Sequence, residues 1–131
     1  MIDIICNPRN GNGFDLLHSF EGWKVAFITY AEQYAQLKIL KRHVLSDEIF
    51  LLVKGNAKLF TLNDDGRLTT VTLKKEQIYN VKKNTWHHLQ VSSDALLFVV
   101  ENSNTSNENT ESLLLSEKQK RRWLYDNIQY D

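Results

Sequence analysis

Between Trp23 and Val100 short apolar runs alternate with turn-forming residues, and no stretch holds a sustained helical period. The run WKVAFITY over 23–30 is rich in aromatic and β-branched residues, as a strand on a packed sheet requires. Further strands are predicted over 36–44, 48–53, 57–62, 67–73, 77–81, 86–91 and 95–100. Gly55 closes the 48–53 run, and Asp65-Gly66 separates two alternating runs as a hairpin turn does. Roughly seven or eight short strands, with turns every eight to twelve residues, predict an all-β fold, a sandwich or a barrel. Strands alternating with helices, as in a βαβ fold, are not expected.

The two ends read differently. Residues up to Phe20 form an irregular lead with one apolar patch at Phe14, Leu16 and Leu17. The run Asn10-Gly11-Asn12-Gly13 is turn chemistry; it has neither the spacing nor the lysine of a phosphate-binding loop. After the barrel, the Asn-rich stretch 101–112 reads as a polar loop. Ser116 and Gln119 then form a capping-box pattern that predicts a short C-terminal helix over about 116–128. Trp123, Leu124 and Ile128 fall on or near one face of it, and Lys118, Lys120, Arg121 and Arg122 on its polar side. A helix of this kind suits solvent first and a protein partner second.

Composition narrows the class without naming a chemistry. The 131 residues suffice for one domain, 1–131, with a barrel over about 23–101. Sixteen Lys and Arg balance sixteen Asp and Glu, so neither nucleic acid nor an anionic membrane is expected as a partner. Cys6 is the single cysteine, which excludes an internal disulfide and a cysteine-based zinc finger. With no signal-peptide pattern and no apolar run long enough to cross a membrane, a cytoplasmic protein is expected.

The candidate chemistry lies in the histidines. His18 has no polar company, but His43 ends one predicted strand and Glu48 starts the next, so a tight connection would set them side by side on adjacent strands. In Trp86-His87-His88-Leu89 successive side chains alternate faces; His87, in phase with Leu89 and Val91, is the inward one, and His88 points outward unless the strand is bulged. Taken singly, each histidine reads first as a packed or surface residue. Together, two imidazoles and a carboxylate in a barrel suit Zn, Fe, Mn or Ni with coordination positions left open. Tyr79 and Trp86 read first as core and second as pocket walls.

The spacing His43-x4-Glu48-x6-Gly55 resembles the first motif of the cupin superfamily, G(X)5HXH(X)3-4E(X)6G. The stretch from Glu76 to Val91 resembles the second motif, G(X)5PXG(X)2H(X)3N. His87 takes its histidine, while Glu76 and Asn84 fall on its glycines, Lys82 on its proline and Val91 on its asparagine. The likeness spans about half the chain, 37–101, and is similar to small single-domain bacterial cupins. It implies an antiparallel jelly-roll β-barrel with a small-molecule pocket and a metal on His43, Glu48 and His87, in an enzyme acting on a carbohydrate or a carboxylic acid. It also implies a homodimer, for which the 23–30 strand, as an exposed edge, is the expected pairing surface.

Lys41 falls where those proteins place a further histidine ligand. A protonated amine cannot ligate a metal. Either His43, Glu48 and His87 form an open site alone, or Lys41 pairs with Glu48 in a metal-free pocket for an anionic or carbonyl ligand. A lysine desolvated in a barrel also serves as a base or nucleophile. The plainest alternative is that Lys41 snorkels to the barrel mouth. Lys41, Tyr79, Trp86 and His88 are thus the candidate pocket residues, and a metal-free binding or sensing module is the alternative function.

Overall fold

In the computed structural model, which describes residues 1–5 and 12–122, the alternating runs fold into ten strands. In chain order these are β1 (Phe14–Phe20), β2 (Trp23–Thr29), β3 (Ile39–His43), β4 (Glu48–Lys54) and β5 (Ala57–Leu62). They continue as β6 (Leu68–Thr72), β7 (Ile78–Val81), β8 (His87–Val91), β9 (Leu96–Asn102) and β10 (Thr110–Leu114). Two five-stranded sheets result, ordered β1-β2-β9-β4-β7 and β10-β3-β8-β5-β6. Every pairing is antiparallel. This is the expected jelly roll. Period-2 alternation sends Ala26, Ile28, Phe50, Leu52, Leu97 and Val99 of the first sheet into a core shared with Leu59, Leu89 and Val91 of the second. Each fully buried side chain of Leu or Phe size stabilises the fold by about 1.5–3 kcal/mol.

Four expectations are corrected. The irregular lead contains β1, whose alternation is broken by a register shift between Leu16 and His18. The 101–112 loop is only partly a loop. β9 runs on to Asn102, a 3-10 turn occupies Asn107–Asn109, and β10 pairs with β3 from Thr110 onward. β3 and β4 are not adjacent: they lie in different sheets, so His43 and Glu48 face each other across the interior. Nor is the strand at 23–30 an edge, because β2 is bonded to β1 on one side and β9 on the other. The C-terminal helix begins as expected. Gln119 N–H donates to Ser116 Oγ at 3.1 Å, and Ser116 N–H donates to Gln119 Oε1 at 2.8 Å. The expected apolar face at Trp123, Leu124 and Ile128 lies outside the described residues. No helix among the described residues is long and apolar enough to cross a membrane.

The turns that set the site follow the motif spacing. Gly55 has φ +79°, and a Cβ there would sit 2.7 Å from Ala95 Cα and 2.8 Å from Ser92 Oγ. Only glycine fits that crossing. Glu76 and Asn84, which stand on glycine positions of the second motif, adopt φ of +67° and +65°. The left-handed backbone is thus retained where the glycines are not. Asp47 then ties two turns together, accepting from Lys83 N–H at 2.9 Å and Asn80 Nδ2 at 3.0 Å. Asn84 N–H donates to His43 O at 2.8 Å. These bonds fix the end of β3 beside the start of β8.

Candidate metal centre

Three side chains meet inside the barrel. His43 comes from the end of β3, Glu48 from the start of β4 and His87 from the start of β8. Their ligand atoms all lie within 4.8 Å of one another. His43 Nε2 and His87 Nε2 each stand 3.2 Å from the same atom, Glu48 Oε1. Phe50 closes one side of the cluster, its ring centroid 6.4 Å from that of His87.

The outer nitrogens decide what those contacts are. His87 Nδ1 lies 2.9 Å from the carbonyl oxygen of Thr85, which only accepts, so Nδ1 carries a proton. His43 Nδ1 lies 2.8 Å from Thr110 Oγ1. That hydroxyl donates its own hydrogen to Ser106 O at 2.7 Å, so it receives one from His43. When neutral, both rings therefore turn an Nε2 lone pair onto a carboxylate oxygen. Three acceptors at one point require a cation between them, a proton or a metal ion. A second shell that fixes imidazole tautomers in this way is what metal-ligating histidines ordinarily have.

Around this cluster runs a row of charge. Glu48, Glu101 and Lys24 are register partners across β4, β9 and β2, and Lys24 Nζ is 3.6 Å from Glu101 Oε1. Burial raises the Glu48 carboxyl, but in the metal-free cluster a proton on Nε2 makes each imidazole a charged donor, and those hydrogen bonds and charges outweigh burial and hold the group down at about 2. Glu101 goes the other way: burial and the neighbouring Glu48 push it up to about 7, against the pull of Lys24. Tyr34 packs against the core nearby, and burial raises its hydroxyl to about 12.

A cavity of about 440 Å³ opens onto the cluster. Ile28, Phe50 and Leu89 form buried apolar wall, Tyr34 and Glu101 add polar groups, and exposed Glu32, Gln36, Lys38, Lys41 and Asn107 surround the opening. Lys41 borders it as the register partner of His87 and is exposed; among the described residues it forms no ion pair with Glu48. Of the other sequence candidates, His88 borders the cavity as well but is buried with its ring 6.0 Å from that of Phe60, and its Nε2 has no hydrogen-bond partner. Burial, followed by the charges of His87 and Lys41, lowers its pKa to about 4. His87, not His88, reaches Glu48.

Two candidates lie elsewhere. Tyr79 lines a separate surface cavity and accepts from Lys74 N–H at 2.9 Å. Trp86 is not among the residues of the metal-cluster cavity; its ring lies 4.5 Å beneath the Arg42 guanidinium, which also bonds Glu111. An aromatic side chain beside a histidine pair thus serves packing. Sequence reading missed Glu101, Lys24, Tyr34 and Thr110. Glu101 had a signal, since it continues the inward phase of Leu97 and Val99 one step further. Thr110 had none.

No protein-family profile matches the chain, and no curated protein matches it in sequence. Solved structures do match. Pac13 from Streptomyces, described as a nucleoside dehydratase, aligns with a TM-score of 0.60 at 14% identity over 83% of this chain and 86% of its own. A uridine-bound variant of it gives 0.61 at 14% identity, over 84% and 86%. An RmlC-like cupin with a double-stranded β-helix from Methanocaldococcus jannaschii gives 0.58 at 18% identity, over 78% and 91%. A cupin-2 domain protein from Shewanella frigidimarina gives 0.56 at 14% identity, over 71% and 83%. At such identities the likeness is one of fold: the chain has a cupin-like fold.

Proposed function

We propose that the barrel binds a small molecule next to a divalent metal held by His43, Glu48 and His87. We further propose that it acts as a cytoplasmic homodimeric enzyme on a carboxylic acid or a carbohydrate. The observation that carries the metal is the polarity of the outer hydrogen bonds, which aims two lone pairs and one carboxylate oxygen at a single point. Two nitrogens and one oxygen suit Zn, Fe(II), Mn or Ni. Such an ion, when bound, polarises a carbonyl or activates water or dioxygen. The chain's own groups supply the rest. Ile28, Phe50 and Leu89 exclude water, and Lys38 and Lys41 at the opening present positive charge to a carboxylate. That a barrel of this fold takes a sugar-bearing ligand is known from Pac13 with uridine.

The second reading is a metal-free binding or sensing module. It is favoured by the fact that a proton satisfies the same contacts as an ion. Its expected Lys41–Glu48 pair is replaced by the two imidazoles. Elemental analysis of chain purified without added metal, and after incubation with each of the four ions, separates the two. One ion per chain, lost in Glu48→Ala and His87→Ala, is expected. A chain that takes up none of the four overturns the metal reading.

A further inference from the structure

A second cavity, of about 500 Å³, lies where the two sheets do not close on each other. β6 and β7 are the end strands of their sheets, and among the described residues they do not pair with each other. Val71 of β6 marks the gap. It is the register partner of buried Leu59 and shares its inward phase, yet it is 44% exposed. Leu59, Val71, Tyr79 and Val81 give the cavity an apolar floor. At its rim stand two exposed charges of opposite sign, Asp64 in the β5–β6 hairpin and Lys82 just after β7. The neighbouring Asp65 is taken up by Arg67, at 3.2 Å. Neither Asp64 nor Lys82 forms an ion pair among the described residues. Thr61 and Val81 of the lining are the register partners of His87 and Glu48. The cavity thus borders the strands of the metal cluster, but it shares no lining residue with the cavity that opens onto that cluster.

We propose that this seam is a second ligand site, for a small zwitterion with an apolar body: a free amino acid such as phenylalanine or leucine. The volume lies within the usual range of small-molecule sites, about 300–1,000 Å³, and an apolar floor with a few polar groups is their ordinary chemistry. An apolar side chain seated on Leu59, Val71 and Val81 covers inward-facing surface that the fold leaves open to water. The two rim charges fix what the other end carries. An ammonium group meets Asp64 and a carboxylate meets Lys82, whereas a ligand with one charge leaves one rim residue unmatched. A phosphorylated ligand is disfavoured, because Asp64 repels it. Thr85, which also lines the cavity, holds His87 Nδ1 through its carbonyl, so the occupant sits one residue from the cluster. Its binding does not depend on a metal there.

Heteronuclear NMR titration of the full chain, in a chelator, with L-phenylalanine up to about 10 mM tests the site. Saturable shifts are expected at Leu59, Val71, Tyr79 and Val81, and Val71→Trp, whose indole fills the cavity, abolishes them. Gln36→Trp, at the opening of the metal-facing cavity, leaves them in place. Phenethylamine and hydrocinnamate, each with one of the two charges, then read the rim. Asp64→Asn weakens phenylalanine and phenethylamine by roughly threefold to fivefold and leaves hydrocinnamate unchanged. Lys82→Gln weakens phenylalanine and hydrocinnamate and leaves phenethylamine unchanged. Both rim residues are exposed, so these variants keep the native fold and carry the test even where Val71→Trp does not fold. A native chain with no saturable shift for phenylalanine or leucine overturns the proposal. So do shifts that map to the metal-facing cavity and vanish in Gln36→Trp, or rim variants that bind all three ligands as the native chain does.

Discussion

At the scale of single residues, one proton on each imidazole decides what the cluster is. Had His43 and His87 met hydrogen-bond donors at Nδ1, their Nε2 atoms would carry hydrogens and simply cap Glu48. The opposite holds, and for His43 it holds through Thr110 Oγ1, which passes its own hydrogen to Ser106 O. The 3-10 turn that places Ser106 is itself pinned: Ser106 N–H donates to Asn109 Oδ1 at 3.0 Å, and Asn109 Nδ2 donates to Asn104 O at 2.8 Å. The Asn-rich stretch is therefore a built support for the His43 ring. Thr110→Val should weaken metal binding about 10–100-fold, while Thr110→Ser, which keeps the hydroxyl, should retain it. Titration calorimetry with one of the four ions measures both, and equal affinity for native and Thr110→Val chains would refute the role. His43, Glu48 and His87 were legible because their spacing and phase are local facts of the sequence. Thr110, 67 residues from His43, reaches it only through the pairing of β10 with β3. No local pattern contains that.

At the scale of elements, period-2 alternation is visible wherever a strand is buried on one face and unbroken. β5 spans the predicted 57–62 to the residue, and β2 and β4 differ from prediction by a single residue at one end. β1 escaped because the bulge between Leu16 and His18 shifts its phase halfway along. β10 escaped because it is a short edge strand whose sequence continues a polar run. Which strands are neighbours was also hidden, since sequential β3 and β4 go to opposite sheets. The junctions between elements are better marked. Gly55 and Gly66 both have left-handed backbone, at φ +79° and +84°, but only Gly55 is crowded. Gly55→Ala should therefore cost roughly 2–4 kcal/mol, from left-handed strain plus a Cβ overlapping Ala95. Gly66→Ala, with open space around it, should cost only about 1 kcal/mol. Urea unfolding at constant m-value measures the two, and equal losses would remove the case for close approach at Gly55.

For the whole molecule, the buried charges make stability depend on pH in opposing ways. Glu48, lowered from 4.5 to about 2, stabilises the fold above pH 4.5, and that contribution is lost as pH falls toward 2. His88, lowered from 6.5 to about 4, behaves alike in sign: its contribution is complete above pH 6.5 and lost as pH falls through 4. Glu101 is raised from 4.5 to about 7, so its contribution is complete below pH 4.5 and lost as pH rises through 7. Between pH 4.5 and 6.5 the gain from His88 and the loss from Glu101 therefore oppose each other, and the native chain should show a nearly flat profile there. Glu101→Gln removes only the falling component, and the amide keeps the shape of the protonated acid. Without metal, in a chelator, the variant should match the native chain near pH 4.5, climb steadily to pH 6.5, and be more stable by on the order of 1–2 kcal/mol at pH 8 once solvent screening is allowed for. Lys24 does not reverse the sign, because it keeps its bond to Thr105 O at 2.6 Å when the carboxylate is gone. Urea unfolding of both chains at pH 4.5, 6.5 and 8 provides the comparison. If Glu101→Gln is instead less stable than the native chain at pH 8, the ion pair with Lys24 outweighs burial and the Glu48 charge, and Glu101 is ionised in the folded barrel.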